Sequence, residues 1–386
     1  MLEAMREKFE SLFDVKPEVS AFAPGRINLI GEHTDYNGGY VFPAAIELGT
    51  YGLAVKREDK LVRLYSNNFE TVGMISFDLE HLDFHKEHDW ANYPKGVIKY
   101  LVEAFSEINQ GFDILVEGNI PNGASLSSSA SIELLTGWLV KQLFNLNLER
   151  LELIKIGQRT ENQFMGVNSG IMDQFIIGMG KAEHAILLDT ATLDYEYVPA
   201  KFGDYVISIM NTNKRRSLTE SKYNERRSEC ESALSSLQQK LNIESLGELT
   251  MEQFEKHQML IKDDVKRKRA KHAVSENERT KLAYQALSVN DFEKFGHLLN
   301  DSHASLKDDY EVTGIELDTL AETAQQVEGV LGARMTGAGF AGCAIALVHK
   351  NQIQALEDEV SNKYIEKIGY EPSFYHVGIS DGVKTI

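Results

Sequence analysis

The sequence predicts an α+β protein built as two closely joined lobes. Three observations carry this. Strand-like and helix-like segments alternate along the chain, but without the regular βαβ spacing of a doubly wound sheet. The 386 residues suffice for about two to three domains. Only 7 prolines occur, and no Pro/Ser/Gly-rich stretch separates the halves, so two lobes must pack on each other rather than hang on a tether. Surface scaling gives about 15,000 Å² folded against about 63,000 Å² unfolded, enough burial for one large core or two moderate ones.

The elements follow in order. MLEAMREKFESLF reads as a charged amphipathic helix with no signal-peptide core. Val19–Ala23 and Tyr51–Val55 are rich in β-branched and aromatic residues and read as strands, and Leu61–Ser66 alternates like a half-buried strand. Tyr93–Glu107 reads as a helix and Phe112–Glu117 as a strand. Ser127–Leu146 and Glu149–Phe164 carry apolar residues at three- and four-residue spacing and read as long helices. Ala185–Asp189 and Tyr205–Asn211 are strand-like, and Ser217–Leu306 is helix-rich. Helix Gly314–Val327, strands Val330–Met335 and Cys343–Val348, helix Ile353–Ile365 and strand Ser373–Val377 close the chain. The lobe boundary falls near residue 203, giving 1–203 and 204–386.

The net charge is −18, from 40 basic and 58 acidic side chains. Residues 1–200 hold 16 basic and 29 acidic groups, a net of −13. Such a field repels polyanions, which argues against nucleic acid and anionic membranes as partners. The longest apolar runs, such as FAGCAIALV, reach about half a membrane span. The two cysteines, Cys230 and Cys343, are too few and too far apart for a metal motif or a disulfide framework. A cytoplasmic protein is expected.

Three segments carry chemistry. The first, AFAPGRINLIGEHTDYNGGYVFPAAI (21–46), packs Arg26, Glu32, His33 and Asp35 within ten residues. A hairpin with an Asn37-Gly38-Gly39 turn accounts for the glycines. The polar cluster suits several sugar hydroxyls, each of which donates and accepts. The second, IPNGASLSSSASIELL (120–135), is a Gly/Ser turn running into an apolar helix. Free N–H groups and the positive dipole end make such a start an anion site; simple N-capping by one serine is the alternative. The third, RMTGAGFAGCAIALV (334–348), contains a formal G-x-G-x-x-G. It precedes a strand-like run rather than a helix, so it fails the dinucleotide-fold context. A glycine loop between two strands, pressed against a ligand or another loop, fits better. No P-loop and no protein-kinase HRD or DFG element occurs.

Together the segments resemble the GHMP small-molecule kinases, and within them the galactokinases. APGRINLIGEHTDYNGG is similar to the galactokinase signature almost letter for letter, SLSSSAS to the family's phosphate motif, and MTGAGFAGC to its third motif. Order and spacing agree along essentially the whole chain. The resemblance implies a two-lobed architecture, with an N-terminal lobe like domain 2 of ribosomal protein S5, a C-terminal ferredoxin-like lobe, and the active site in the cleft between them. It implies phosphorylation of α-D-galactose at the anomeric hydroxyl by ATP with Mg²⁺, the first phosphorylation of galactose catabolism, by a protein more often monomeric than a stable oligomer.

Roles then follow residue by residue. Asp173 in NSGIMDQF matches the catalytic acid/base and Arg26 the active-site arginine. From sequence alone Asp173 also reads as a first-turn residue complementing a helix dipole. Ser129 and Glu161 match the Mg²⁺ ligands, although Glu161 by itself reads as a solvated helix residue. Glu32, His33, Asp35, Gly170 and Tyr223 match the galactose contacts. Ser66, Trp90, Tyr93 and the loop Gly123, Ala124, Ser125, Leu126, Ser127, Ser128 and Ser129 match the ATP site. Three positions depart from the family. Ser125 stands where glycine is usual, and a shifted loop with Gly123 taking the special dihedral is expected. Ala341 replaces a glycine of the third motif and is expected to be tolerated. Pro94 stands for an expected valine, in a first turn where proline is acceptable. The rivals are a GHMP kinase for another sugar, such as N-acetylgalactosamine or arabinose, and a non-catalytic sugar/ATP sensor. The intact Arg26, Ser129, Glu161 and Asp173 argue against the sensor.

Other features read as structural. His81, His85 and His88 share one helical face, but Asp83, Glu87 and Asp89 beside them make an exposed polar segment a better reading than a metal site. KRKRAKH (266–272) is expected to be a solvated helix face, and Cys343 a packed core thiol.

Overall fold

The computed structural model describes residues 1–121, 123–214 and 219–386, residues 219 and 220 by their backbone alone. Its accessible surface is 16165 Å², near the value expected for the mass. In chain order the strands are β1 (Val19–Asn28), β2 (Tyr40–Val41), β3 (Pro43–Lys56), β4 (Leu61–Ser66), β5 (Ile75–Asp78), β6 (Phe112–Gly118), β7 (His184–Asp189), β8 (Tyr195–Pro199), β9 (Tyr205–Asn211), β10 (Val330–Thr336), β11 (Cys343–His349), β12 (Ser373–His376) and β13 (Lys384–Thr385). The helices are α1 (Leu2–Phe13), α2 (Asn92–Ala104), α3 (Ser128–Phe144), α4 (Arg150–Arg159), α5 (Met172–Met179), α6 (Thr219–Leu237), α7 (Met251–His257), α8 (Asp264–Ser288), α9 (Phe292–Ser305), α10 (Gly314–Ala324) and α11 (Ile353–Ile368).

The strands form a six-stranded sheet in the order β13-β1-β3-β6-β4-β5, a four-stranded sheet β10-β11-β9-β12 and a small sheet β2-β7-β8. The four-stranded sheet is antiparallel throughout. Helix α3 buries Leu134, Leu135, Leu139 and Val140 in one core with Ala21, Ala23 and Ala54 of the six-stranded sheet. A second core gathers Met210 and Ala344 of the four-stranded sheet with Leu317, Leu320 and Val360 of the helices beside it. A third apolar cluster crosses the chain's midpoint, joining Ile27, Leu29 and Phe42 to Ile207, Ile209, Leu298 and Ile345. That shared layer is the physical counterpart of the absent linker. The last strand, β13, pairs with β1, so the C-terminus returns to the first sheet.

Several expected boundaries shift. β1 runs on through Pro24-Gly25-Arg26, and β3 starts at Pro43 rather than Tyr51 because the two pair from Val19↔Ala54 to Asn28↔Pro43. The predicted helix Glu149–Phe164 is α-helical only to Arg159 and then widens into a π-helical turn, Thr160–Met165. The start of the helical stretch expected from Ser217 lies outside the described residues. The basic run is not a solvated face throughout. Arg269 and His272 are buried on α8, where Arg269 bonds Glu229, Glu311 and the Asp309 carbonyl, and His272 bonds Ser305 Oγ and the Glu32 carbonyl. Charge alone cannot reveal that a helix is covered on both sides. Cys343 is buried in the third cluster, as expected.

Candidate active site

The site begins at an irregularity in β1. The β1–β3 register shifts between Pro24 and Gly25. A side chain at Gly25 would come within 2.7 Å of the Leu126 carbonyl. The missing side chain lets the loop before α3 lie on the strand, where Arg26 N–H donates to Leu126 O at 3.1 Å. Arg26 then projects beneath that loop. Its Nη1 donates to Ser125 O at 2.7 Å, and Nε and Nη2 grip the two Asp173 oxygens at 2.8 Å each. Asp173 sits in the first turn of α5 and also accepts from Ser127 Oγ. A bidentate guanidinium–carboxylate pair fixes the carboxylate's orientation.

The serines before α3 are not helix caps. Ser127, at the N-cap position, has φ 64° and makes no side-chain cap bond. The start of α3 is thus left without a side-chain cap. Ser131 is turned away and bonds the Ala23 carbonyl and Thr50 Oγ1. The expected shift of the special dihedral is half right: Gly123 has φ 75°, but Ser125 also takes φ 60°. The loop does not spare Ser125, because its carbonyl must reach Arg26. The third glycine motif presses on the same loop. A side chain at Gly342 would meet Ser125 Oγ at 2.1 Å, and one at Gly337 would meet Ser125 O at 3.0 Å. Ala341 is buried, and Pro94 sits in the first turn of α2.

The sugar-signature residues occupy the loop between β1 and β2. Glu32 Oε1 accepts from Gly337 N–H at 2.8 Å and Thr336 Oγ1 at 3.2 Å, with Arg334 Nη1 at 3.5 Å. Burial pushes the Glu32 carboxyl up, against the lowering pull of Arg334 and Arg26. Burial, with Asp173 and Glu32 nearby, also pushes Asp35 up to about 7. A side chain at Gly170 would stand 1.9 Å from Asp35 Oδ2. Glu161, on the π-helical turn, is buried rather than solvated. It accepts from Ser129 Oγ at 2.7 Å and Ser169 Oγ at 2.6 Å.

These groups line one cleft of about 530 Å³. Arg26, Glu32, His33, Asp35, Tyr93, Gly123, Ser125, Leu126, Ser127, Ser128, Ser129, Glu161, Gly170, Asp173 and Tyr223 all face it. Ser66, Trp90 and Ala124 lie outside this lining. Ser66 Oγ accepts from Asn68 N–H, Trp90 is stacked on Phe69 at 6.4 Å with its surface largely covered, and Ala124 is buried. Among the described lining residues Arg26 is the one cation.

Sequence reasoning did not assign Ser169, Gly337 and Ala338 to the lining, nor the groups behind the sugar loop. Glu276 on α8 accepts from Gly31 N–H, Glu32 N–H, Ser302 Oγ and Arg279 Nε. Arg334 donates to the Asn28 and Leu29 carbonyls. The third motif contained Gly337 and Ala338, but nothing in a helical charge pattern could single out Glu276.

The helical face expected to carry His81, His85 and His88 does not form, since only Lys86–Ala91 is a short 3-10 turn; His85 and His88 lie ring to ring and His88 meets Lys95 Nζ. Among the described residues one group has metal-like spacing: His303, Asp318 and Glu322. His303 Nδ1 accepts from Met335 N–H, its Nε2 lies 3.3 Å from Asp318 Oδ1, and the Lys307 ammonium already pairs with both acids. That is an ion-pair cluster. No helix of the described residues is long and apolar enough to cross a membrane.

Comparison with known proteins gives the family. The galactokinase galactose-binding signature matches residues 7–56, the GHMP kinase N-terminal domain 92–181 and the GHMP kinase C-terminal domain 283–366. The chain is 81% identical over its full length, and the relative's, to a galactokinase of Staphylococcus saprophyticus, and 70% identical over both full lengths to one of Staphylococcus carnosus. A crystal structure of Lactococcus lactis galactokinase complexed with galactose superposes with a TM-score of 0.98 at 57% identity, covering all of both chains. A mevalonate kinase, 19% identical with a TM-score of 0.66 over 94% of this chain and all of its own, shares the fold. The chain belongs to the galactokinase family of GHMP kinases.

Proposed function

We propose that this protein transfers the γ-phosphoryl group of ATP to the anomeric hydroxyl of α-D-galactose, giving galactose 1-phosphate and ADP in the cytoplasm. The observation that carries the reading is the position of Asp173, gripped by Arg26 where the sugar loop and the serine loop meet. The sugar lies against Glu32, Asp35, Gly170 and Tyr223, with the carboxylates accepting from its hydroxyls. The triphosphate lies along the loop from Gly123 to Ser129 and the start of α3, and the adenine lies toward Tyr93. As the anomeric oxygen attacks the γ-phosphorus and the bond to the β-phosphate oxygen breaks, Asp173 accepts the hydroxyl proton. Arg26 keeps that carboxylate oriented and offsets charge on the moving phosphoryl group.

Mg²⁺ fits the residues present, because Ser129 Oγ and Glu161 Oε1 are hard oxygen donors 2.7 Å apart. When bound there, it neutralises phosphate charge in a cleft whose described lining otherwise offers one cation, already engaged by Asp173. The acidic balance of the N-terminal half, −13 over residues 1–200, makes a strong metal requirement the expected outcome.

A coupled ADP-release assay over a sugar panel, with and without Mg²⁺, tests the reading. Galactose- and Mg²⁺-dependent ADP formation is expected, lost in a folded Asp173→Asn variant. A higher kcat/KM for N-acetylgalactosamine, or full turnover by Asp173→Asn, would overturn it.

A further inference from the structure

A line of hydrogen bonds runs back from His33 of the sugar loop through Tyr36, Tyr310 and Cys230, three residues to which the reaction gives no role. His33 Nε2 lies 3.2 Å from the Ala338 carbonyl and Nδ1 lies 2.7 Å from Tyr36 Oη. Tyr36 Oη is 2.8 Å from Tyr310 Oη, and Tyr310 Oη is 3.2 Å from Cys230 Sγ. The proton positions follow by elimination. A carbonyl oxygen only accepts, so Nε2 carries a proton. Burial, helped by His272, Arg226 and Arg334, pushes His33 down to about 3, so the ring is neutral near pH 7 and Nδ1 is an acceptor. Tyr36 therefore spends its one proton on His33 and accepts from Tyr310. Tyr310 spends its proton on Tyr36 and accepts from the Cys230 thiol, which burial pushes up to about 11 and so keeps protonated. One backbone carbonyl thus orders every donor behind it.

The four segments involved are distant in sequence. His33 and Tyr36 belong to the loop between β1 and β2, Ala338 to the turn between β10 and β11, Tyr310 to the π-helical turn after α9, and Cys230 to α6. His33 itself has φ 61°, a left-handed conformation that costs a non-glycine residue about 1 kcal/mol or more and persists only where surroundings impose it.

We propose that Tyr36 and Tyr310 are positioning residues that hold His33 in its Nε2–H tautomer and thereby latch the Gly337–Gly342 turn onto the sugar loop. Glu32 shares the latch, since its Oε1 accepts from Gly337, the neighbour of Ala338. Loosening Ala338 therefore reaches a sugar-facing carboxylate through a hydrogen bond, and the Ser125 loop only through packing contacts. Both ring nitrogens of His33 are committed to the protein, so a sugar hydroxyl meets the ring through its carbon edge unless one of these bonds is broken.

Two readouts test this, and only the kinetic one rests on the sugar-kinase reading. The first is nitrogen NMR of ¹⁵N-histidine-labelled, ligand-free protein, with His33 assigned by its loss in His33→Gln. Wild type is expected to show a single Nε2–H tautomer, and Tyr36→Phe, which removes the proton donated to Nδ1, a mixture. The second is steady-state kinetics. Tyr36→Phe is expected to raise the galactose KM about tenfold while the ATP KM stays within about twofold, from the loss of one buried hydrogen bond. Tyr310→Phe leaves the Tyr36 donor in place, so a rise of about threefold is expected. It decides the matter if Tyr36→Phe does not fold. An Nδ1–H or imidazolium ring in wild type overturns the proposal. So does a folded Tyr36→Phe, or in its absence a folded Tyr310→Phe, with tautomer and galactose KM both unchanged. If no sugar is phosphorylated, the kinase reading fails and the tautomer result still judges the latch.

Discussion

Replacing Gly170 by alanine tests directly whether Asp35 belongs to the sugar site. The added methyl would stand 1.9 Å from Asp35 Oδ2, 2.2 Å from Cγ and 2.9 Å from Cβ. The backbone at 170 does not have positive φ, so alanine is conformationally acceptable and the consequence falls on Asp35. Non-bonded heavy atoms settle about 3.5–4.0 Å apart, so the carboxylate must withdraw by about 1.5 Å. A hydrogen bond to a charged group contributes about 1.5–3 kcal/mol. Losing one from Asp35 to a sugar hydroxyl lowers kcat/KM for galactose about 10- to 150-fold, at 1.36 kcal/mol per tenfold. The overpacking itself costs about 1–3 kcal/mol of stability. The assay is coupled ADP release with galactose varied at saturating MgATP, alongside urea denaturation of the same preparations. The ATP KM is expected to move by less than about twofold. A folded Gly170→Ala variant with kcat/KM for galactose within twofold of wild type would refute the placement of Asp35.

Three further outcomes follow from the same geometry. Gly342→Ala drives a methyl into Ser125 Oγ and is expected to raise the ATP KM; adding Ser125→Gly should recover part of the loss, with a coupling of about 1 kcal/mol or more in a double-mutant cycle. Glu276→Gln is expected to destabilise the fold by roughly 3 kcal/mol at pH 7. Burial alone would push that carboxyl up, but Arg279, His272 and Arg334 hold it at about 2 against an ordinary 4.5. Its stabilising effect is therefore present above pH 4.5 and lost as pH falls toward 2, so urea midpoints of variant and wild type should converge in acid. Asp35 has the opposite sign. Its carboxyl is raised to about 7, so it costs stability progressively as pH rises from about 4 to 7. Asp35→Asn should raise the urea midpoint more at pH 8 than at pH 5 while abolishing galactose turnover.

The chemistry-bearing segments were legible because their local composition is unusual. Arg26, Glu32, His33 and Asp35 sit in one short run, and a serine-rich turn opens an apolar helix. Both patterns stand out against ordinary turns. Strand lengths were less legible. β1 continues through Pro24 and Gly25 because pairing with β3 overrides their poor strand propensity. Glu161 looked solvated because a helical pattern cannot show that a π-helical turn rotates it toward Ser129 and Ser169. Arg269 and His272 looked exposed for the same reason. A charged run shows its faces, and only packing shows which of them are covered.

By itself, then, the sequence determined the α+β class, the two joined lobes, the three motifs and the family to which they are similar. These are properties of local pattern, set by residue spacing and turn chemistry. Tertiary structure decided what each motif touches. Arg26 meets Asp173 across 147 residues and Glu32 meets Gly337 across 305. It also decided that Ser125 must accept a left-handed backbone and that Glu276, Arg334 and Tyr310 support the loop between β1 and β2 from behind. The physical reason is that hydrogen bonds and desolvation depend on which surfaces are brought together in space. That pairing is a property of the packed lobes and of no single stretch of chain.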